Sequence, residues 1–356
     1  KGSQKLIDKD IFFINQITKD NFEIKESKVD EDGLSMTERQ WTQIEWNQKG
    51  RHDPYIDKDA LKGEFSSWKF PLHFIDFETT MVAIPFNKGR RPYEQVAFQF
   101  SHHVVYEDGR IEHADQYLNK HRGIFPNFDF VRSLKRVLEK DRGTIFSYAP
   151  HENTVLCQIR EQLKQSKETD AQDLIAWIET ITKAGEKSVD QWCGDRVMVD
   201  LCKMVKKYFY HPLTKGSNSI KKVLPAILNT SDLLKERYSK PTYGTPDGIK
   251  SLNHKSLTLI EYDSQGNVKD PYKQLPPIYQ GLGHELNFIF GEDELADGGA
   301  AMTAYAMMQF TEMSDIERDA LASALLKYCE LDTFAMVLLY EYWKGCLDKD
   351  RVFQAA

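Results

Sequence analysis

Cysteine is scarce in this chain of 356 residues: there are five, an odd number. Cys157, Cys193, Cys202, Cys329 and Cys346 are scattered and no two form a C-x-x-C pair, which excludes a zinc ribbon and a disulfide framework. It points instead to a reducing compartment, here the cytoplasm. No apolar run approaches the ~18 residues of a membrane-crossing helix, so no membrane partner is expected. Internal repeats are absent too. An excess of positive charge is also lacking: 47 Lys and Arg against 54 Asp and Glu leave −7, so composition does not advertise a nucleic-acid-binding protein. The opening Lys1-Gly2-Ser3 is no secretory signal and reads as the start of a fragment, leaving room for an N-terminal partner domain.

What is present supports a substantial core: 41% hydrophobic and 12% aromatic residues, with an ordinary 28% charged. The length is long for one domain and short for two large ones. The charge balance reverses locally. Between Arg196 and Lys222 there are seven Lys or Arg and one acid, Asp200, a stretch that reads equally as a solvated helix face or as a phosphate-facing patch.

Residues 1–69 are polar and of mixed charge without sustained periodicity, and read as an N-terminal extension that packs through Trp41, Trp46 and Trp68. From Leu72 the pattern sharpens. An apolar run ends in Asp76-Phe77-Glu78; in a strand this places both carboxylates on one face and Phe77 on the other, toward a core. A turn-rich loop with Lys88, Arg90 and Arg91 follows, then a strand from Gln95 to Tyr106, an Asp-Gly hairpin signal at 107–110 and a returning strand from Ile111 to Leu118. Helix and strand then alternate: a helix through Phe130–Leu138, a buried strand at 144–148, a helix after Pro150, another over 170–183, and a strand at 197–199 ending in Asp200. A helix is expected over Leu201–Tyr210, and one from the Gly216-Ser217-Asn218-Ser219 cluster through Leu228. Residues 229–297, rich in Pro, Gly, Tyr and Lys, read as an insertion with short hairpins, a candidate substrate-side lid. Two helices close the chain, Gly298–Phe310 and about 314–346, leaving 347–356 as a tail. This order predicts an α/β fold, with a mixed sheet and helices on both faces.

In the last helix Tyr328 and Asp332 are four residues apart and share a face; Glu330 projects elsewhere, toward the surface. With Asp76-x-Glu78 on a first strand, the set resembles the DEDD superfamily of 3′–5′ exonucleases, tyrosine subgroup, which have a ribonuclease H-like fold. The resemblance covers about residues 70–228 and 298–345, within an exonuclease-like domain of 70–346. It implies a two-metal centre of Mg²⁺ or Mn²⁺ held by Asp76, Glu78, Glu152 and Asp332. Tyr328 would orient the attacking water. At the second motif, Tyr148-Ala149-Pro150-His151-Glu152, the family has Asp where this chain offers Glu152, with His151 as an orienting or surface residue. Asp200 reads as structural. The stretches Arg91-Pro92-Tyr93-Glu94-Gln95 and Phe98-Gln99-Phe100-Ser101 look like a bacterial family of uncharacterised proteins placed in that superfamily.

Hard divalent cations take oxygen ligands, which accounts for carboxylates rather than His or Cys. Two such ions about 4 Å apart activate water and stabilise the leaving oxygen of a phosphodiester. The partners implied are single-stranded DNA or RNA ends. Lys88, Arg90, Arg91, Lys203, Lys207, Lys221 and Lys222, with Ser217 at a helix start, are the candidates for the phosphate backbone. Phe77 is expected in the core, with Phe86 and Tyr93 as candidates to stack on a terminal base. A second reading is an inactive exonuclease-like module that binds nucleic acid or a partner; a third is a structure-specific endonuclease with 229–297 as its platform.

Overall fold

The computed structural model describes residues 2–27, 32–275 and 298–354. The chain divides into two units. The larger comprises Trp68–Asp200 and Asp232–Leu338, the smaller Lys1–Ser67, Leu201–Ser231 and Leu339–Ala356.

The larger unit is built on a five-stranded sheet. Its strands are β1 (Leu72–Thr80), β2 (Val96–Val105), β3 (Ile111–Leu118), β4 (Ile145–Ser147) and β5 (Val199–Asp200). They lie in the order β3-β2-β1-β4-β5. The first three are antiparallel, while β4 and β5 run parallel to β1. This is the mixed sheet of a ribonuclease H-like α/β fold, and the hairpin between β2 and β3 turns at Gly109, where φ is 87°. A left-handed residue is what such a turn demands.

Helices follow where the apolar period changes from two to 3.6. They are α1 (Asn127–Leu138), α2 (His151–Lys164), α3 (Ala171–Ile181), α4 (Asp232–Tyr238), α5 (Gly298–Phe310) and α6 (Asp315–Gln354). Ile75 and Phe77 of β1 pack with apolar residues of α1, α2 and α3 in one cluster. Phe77 meets the edge of Phe130 with ring centroids 4.8 Å apart, the core role expected for it. A second cluster joins Val96 and Phe98 of β2 to Ala301, Tyr305 and Met308 of α5 and to Leu321 and Leu325 of α6.

The sequence reading needs correction at several elements. Residues 1–69 carry regular structure, including helices at Met36–Gln48 and Lys58–Ser67. The first is set by a capping box: Ser35 accepts from the Glu38 backbone N–H, and the Glu38 carboxylate accepts from the Ser35 N–H. The helix expected to reach Tyr210 stops at Tyr208, and Phe209–Tyr210 form a two-residue strand paired with Tyr55–Ile56 in the smaller unit. Aromatic pairs suit a half-covered pleated surface better than a helix end. The last helix continues to Gln354, through the stretch read as a tail. The insertion begins with a helix, α4, and contains isolated bridges and a 3₁₀ turn at Pro271–Gln274; residues 276–297 of it lie outside the described residues. No helix among the described residues is long and apolar enough to cross a membrane.

Candidate metal centre

Strand alternation puts Asp76 and Glu78 on the face of β1 opposite Ile75 and Phe77. Across the sheet they pair in register with Ser101 and Gln99 of β2. That same face receives α6: Gln99 donates from Nε2 to the Leu325 carbonyl at 2.8 Å, and Ser101 Oγ lies 2.7 Å from Thr333 Oγ1. The helix therefore crosses over the acids, and its Cys329 thiol donates to the backbone carbonyl and to Oδ2 of Asp76, both at 3.7 Å. Asp76, Glu78 and Cys329 offer potential ligand atoms that all lie within 4.8 Å of one another. Burial, then Asp76, Glu78 and Asp332 in turn, push the Cys329 thiol well above its ordinary range. The thiol is held protonated by a cluster of negative charge.

Asp332 is buried and accepts a hydrogen bond on Oδ1 from the Tyr272 hydroxyl at 2.7 Å. Tyr328 is buried one helical turn earlier, its ring centroid 6.3 Å from that of Tyr272. Sequence reasoning missed Tyr272, which lies in an insertion without periodicity.

Glu152 stands in the first turn of α2, just beyond the end of β4. It is 1% exposed, and its Oε2 has no hydrogen-bond partner. Burial first, then the Asp76 carboxylate and more weakly Asp200, raise its carboxyl well above the usual range. A buried carboxyl oxygen without a partner is costly, and neighbouring carboxylates add to that cost. The turn before it is fixed by Asp200, whose Oδ1 accepts from the Ala149 N–H at 2.9 Å while Ala149 is held at φ 78°. This is the structural role expected of Asp200. His151 is exposed and meets Thr79 Oγ1 through Nε2 at 3.1 Å.

Glu330 is where the sequence reading fails most clearly. Expected at the surface, it is fully buried. Its Oε1 accepts from Tyr243 at 2.5 Å and from Ser251; its Oε2 accepts from Asn253 at 2.6 Å and lies 3.2 Å from His113 Nδ1. These partners, His113 first, overcome the effect of burial and hold its carboxyl at about 2. The network closes into a ring through Ser101, Thr333, His103 and Tyr243. The available signal was Phe334–Tyr340, apolar or aromatic at every position, the mark of a helix covered all round.

Among the expected cationic contacts, Lys88 and Arg91 are exposed in the loop after β1. Arg90 instead stacks over Phe125, 3.4 Å from the ring centroid, and pairs with Glu94. Arg91 and the exposed Tyr93 line a cleft of about 740 Å³ along α2, with Gln158 and Trp192. Phe86 packs on Tyr305 and Phe310. Lys203, Lys207, Ser217, Lys221 and Lys222 belong to the smaller unit, whereas the acids belong to the larger.

A Domain of unknown function (DUF2779) matches residues 73–219. The matched region holds Asp76, Glu78 and Glu152, and ends before Tyr328 and Asp332. No curated protein and no solved structure matches the chain.

Within the close group the carboxylates of Asp76 and Glu78, rather than the Cys329 thiol, are the donors that suit a hard divalent cation. Glu152 and Asp332, the other two expected ligands, are not part of that close group.

Proposed function

We propose that the protein is a metal-dependent phosphodiester hydrolase, a 3′–5′ exonuclease acting on single-stranded DNA or RNA ends. The observation that carries this reading is that the grouped carboxylates of Asp76 and Glu78 are joined electrostatically to acids on two other elements: Asp76 acts on Glu152, and Asp76, Glu78 and Asp332 act together on Cys329. Asp76 and Glu78 come from β1, Glu152 from α2 and Asp332 from α6, and Glu152 keeps a buried oxygen without a hydrogen-bond partner. A fold seldom retains such a cluster for stability, because like charges repel and desolvation penalises each one.

Asp76, Glu78, Glu152 and Asp332 would hold divalent ions there, and such ions would supply an activated water and a stabilised leaving oxygen. The chain's own contribution is positioning. Phe77 and Ile75 anchor β1 in the core and fix the direction of the two acids. Asp200 fixes the turn that presents Glu152. Tyr328, buried on the helix that carries Asp332, orients the water through its hydroxyl. Lys88 and Arg91, exposed on the same unit, attract the phosphate backbone.

The test is a 3′-labelled single-stranded oligonucleotide with Mg²⁺ or Mn²⁺. Mononucleotides are released by the wild type, and Asp76→Asn and Asp332→Asn each abolish release while the circular dichroism spectrum and Tm are kept. Release that survives both substitutions refutes the reading. Absence of any Mn²⁺ binding assigns the fold to a non-cleaving module instead.

A further inference from the structure

Glu330 and Asp332 are two residues apart on α6, and at 100° per residue they point to faces about 200° apart. Both are nevertheless gripped by the same segment, residues 243–272. On one side Tyr243, Ser251 and Asn253 hold Glu330. On the other, Tyr272 donates to Asp332 Oδ1 at 2.7 Å. The segment therefore passes around the helix. It is tied to the sheet as well, where the His113 N–H of β3 donates to the Lys250 carbonyl at 2.9 Å.

Tyr272 is set for this contact before any ligand arrives. It sits in the 3₁₀ turn Pro271–Gln274, and the Asp270 side chain at the N-cap accepts from the Tyr272 N–H at 3.1 Å. Its side chain is buried. We infer that Tyr272 is a positioning residue of the metal centre: its hydroxyl holds one oxygen of Asp332 and so aims the carboxylate at the cation. The inserted segment is then a working wall of the site, not a detachable lid. The inference rests on the proposed metal-dependent function. A hydrogen bond to a ligating carboxylate fixes its orientation, and losing such a partner typically costs about 10–100-fold in metal affinity or activity.

Tyr272→Phe keeps the ring and removes only the hydroxyl. Mn²⁺ affinity, measured by titration calorimetry on the full chain, is expected to fall at least tenfold, while Tm in EDTA stays within a few degrees of wild type. Wild-type Mn²⁺ affinity in Tyr272→Phe overturns the inference. If that variant does not fold, Asp270→Ala loosens the turn and is read in the same way: weaker Mn²⁺ binding supports the inference and unchanged binding overturns it. The two levels separate cleanly. A wild type that binds no Mn²⁺ refutes the underlying reading and this inference with it. A wild type that binds Mn²⁺ with an affinity Tyr272→Phe leaves unchanged refutes only the role of Tyr272.

Discussion

Glu152 is the residue at which fold and site are most opposed. Its carboxyl is buried, lacks one hydrogen-bond partner and faces Asp76. The amide of Gln has nearly the same shape and no charge to desolvate. In EDTA, Glu152→Gln is therefore expected to raise stability by about 1–2 kcal/mol, visible as a higher Tm. With Mn²⁺ added, the wild type gains in Tm and the variant gains far less, since one ligand is gone. A variant that is less stable in EDTA would place Glu152 among the structural acids. That Asp76 shares a face with Glu78, and Tyr328 with Asp332, was legible from strand and helix periods; their reading as one site came from the family resemblance. Glu152 was legible only by its place after a short strand. Tyr272 and Glu330 were not, because their roles depend on a segment whose path no local period dictates.

Among the elements, the turn between β4 and α2 stores the most obvious backbone strain. Ala149 adopts φ 78°, a left-handed conformation that costs a residue with a Cβ on the order of 1 kcal/mol. Ala149→Gly relieves that cost, so the unfolding free energy in urea is expected to rise by roughly 0.5–1 kcal/mol. A loss of similar size would mean that the alanine methyl packs productively. Elsewhere, strands and helices of the larger unit were readable wherever apolar spacing was regular. The helix at Met36–Gln48 went unread: its Ser35-x-x-Glu38 signature was the available signal, in a stretch too polar to suggest a core. By contrast, Phe209–Tyr210 needed knowledge of their partner strand, 153 residues upstream at its nearest point, Ile56.

On the scale of the whole molecule, buried histidines set the response to acid. His73 is 2% exposed, and burial, reinforced by His102, brings its pKa from an ordinary 6.5 to about 4. Burial does the same to His211 in the smaller unit. Between these values the unfolded chain binds more protons than the native one. Stability is therefore fully present above pH 6.5 and is lost as pH falls toward 4, at about 1.4 kcal/mol per pH unit for each histidine. Urea unfolding at a series of pH values should show that slope, and His73→Gln should reduce it by one proton. An unchanged slope would mean that His73 is charged in the native state. Such couplings were invisible in the sequence, since ten histidines give no sign of which are buried.

The ring around Glu330 has a handedness that the distances alone do not express. The carboxylate can only accept, so Tyr243 spends its single proton on it. The contact between Tyr243 and His103 must then be donated by His103 Nε2, which leaves Nδ1 of that neutral imidazole as an acceptor. That acceptor lies 2.7 Å from Thr333 Oγ1, whose hydroxyl also reaches the Glu330 backbone carbonyl at 3.0 Å. One acceptor-only group thus fixes the rotation of the Tyr243 hydroxyl and the tautomer of His103, on two other stretches of chain. Turning the Tyr243 proton toward His103 would require the other tautomer of that ring and would take a donor from the Glu330 carboxylate.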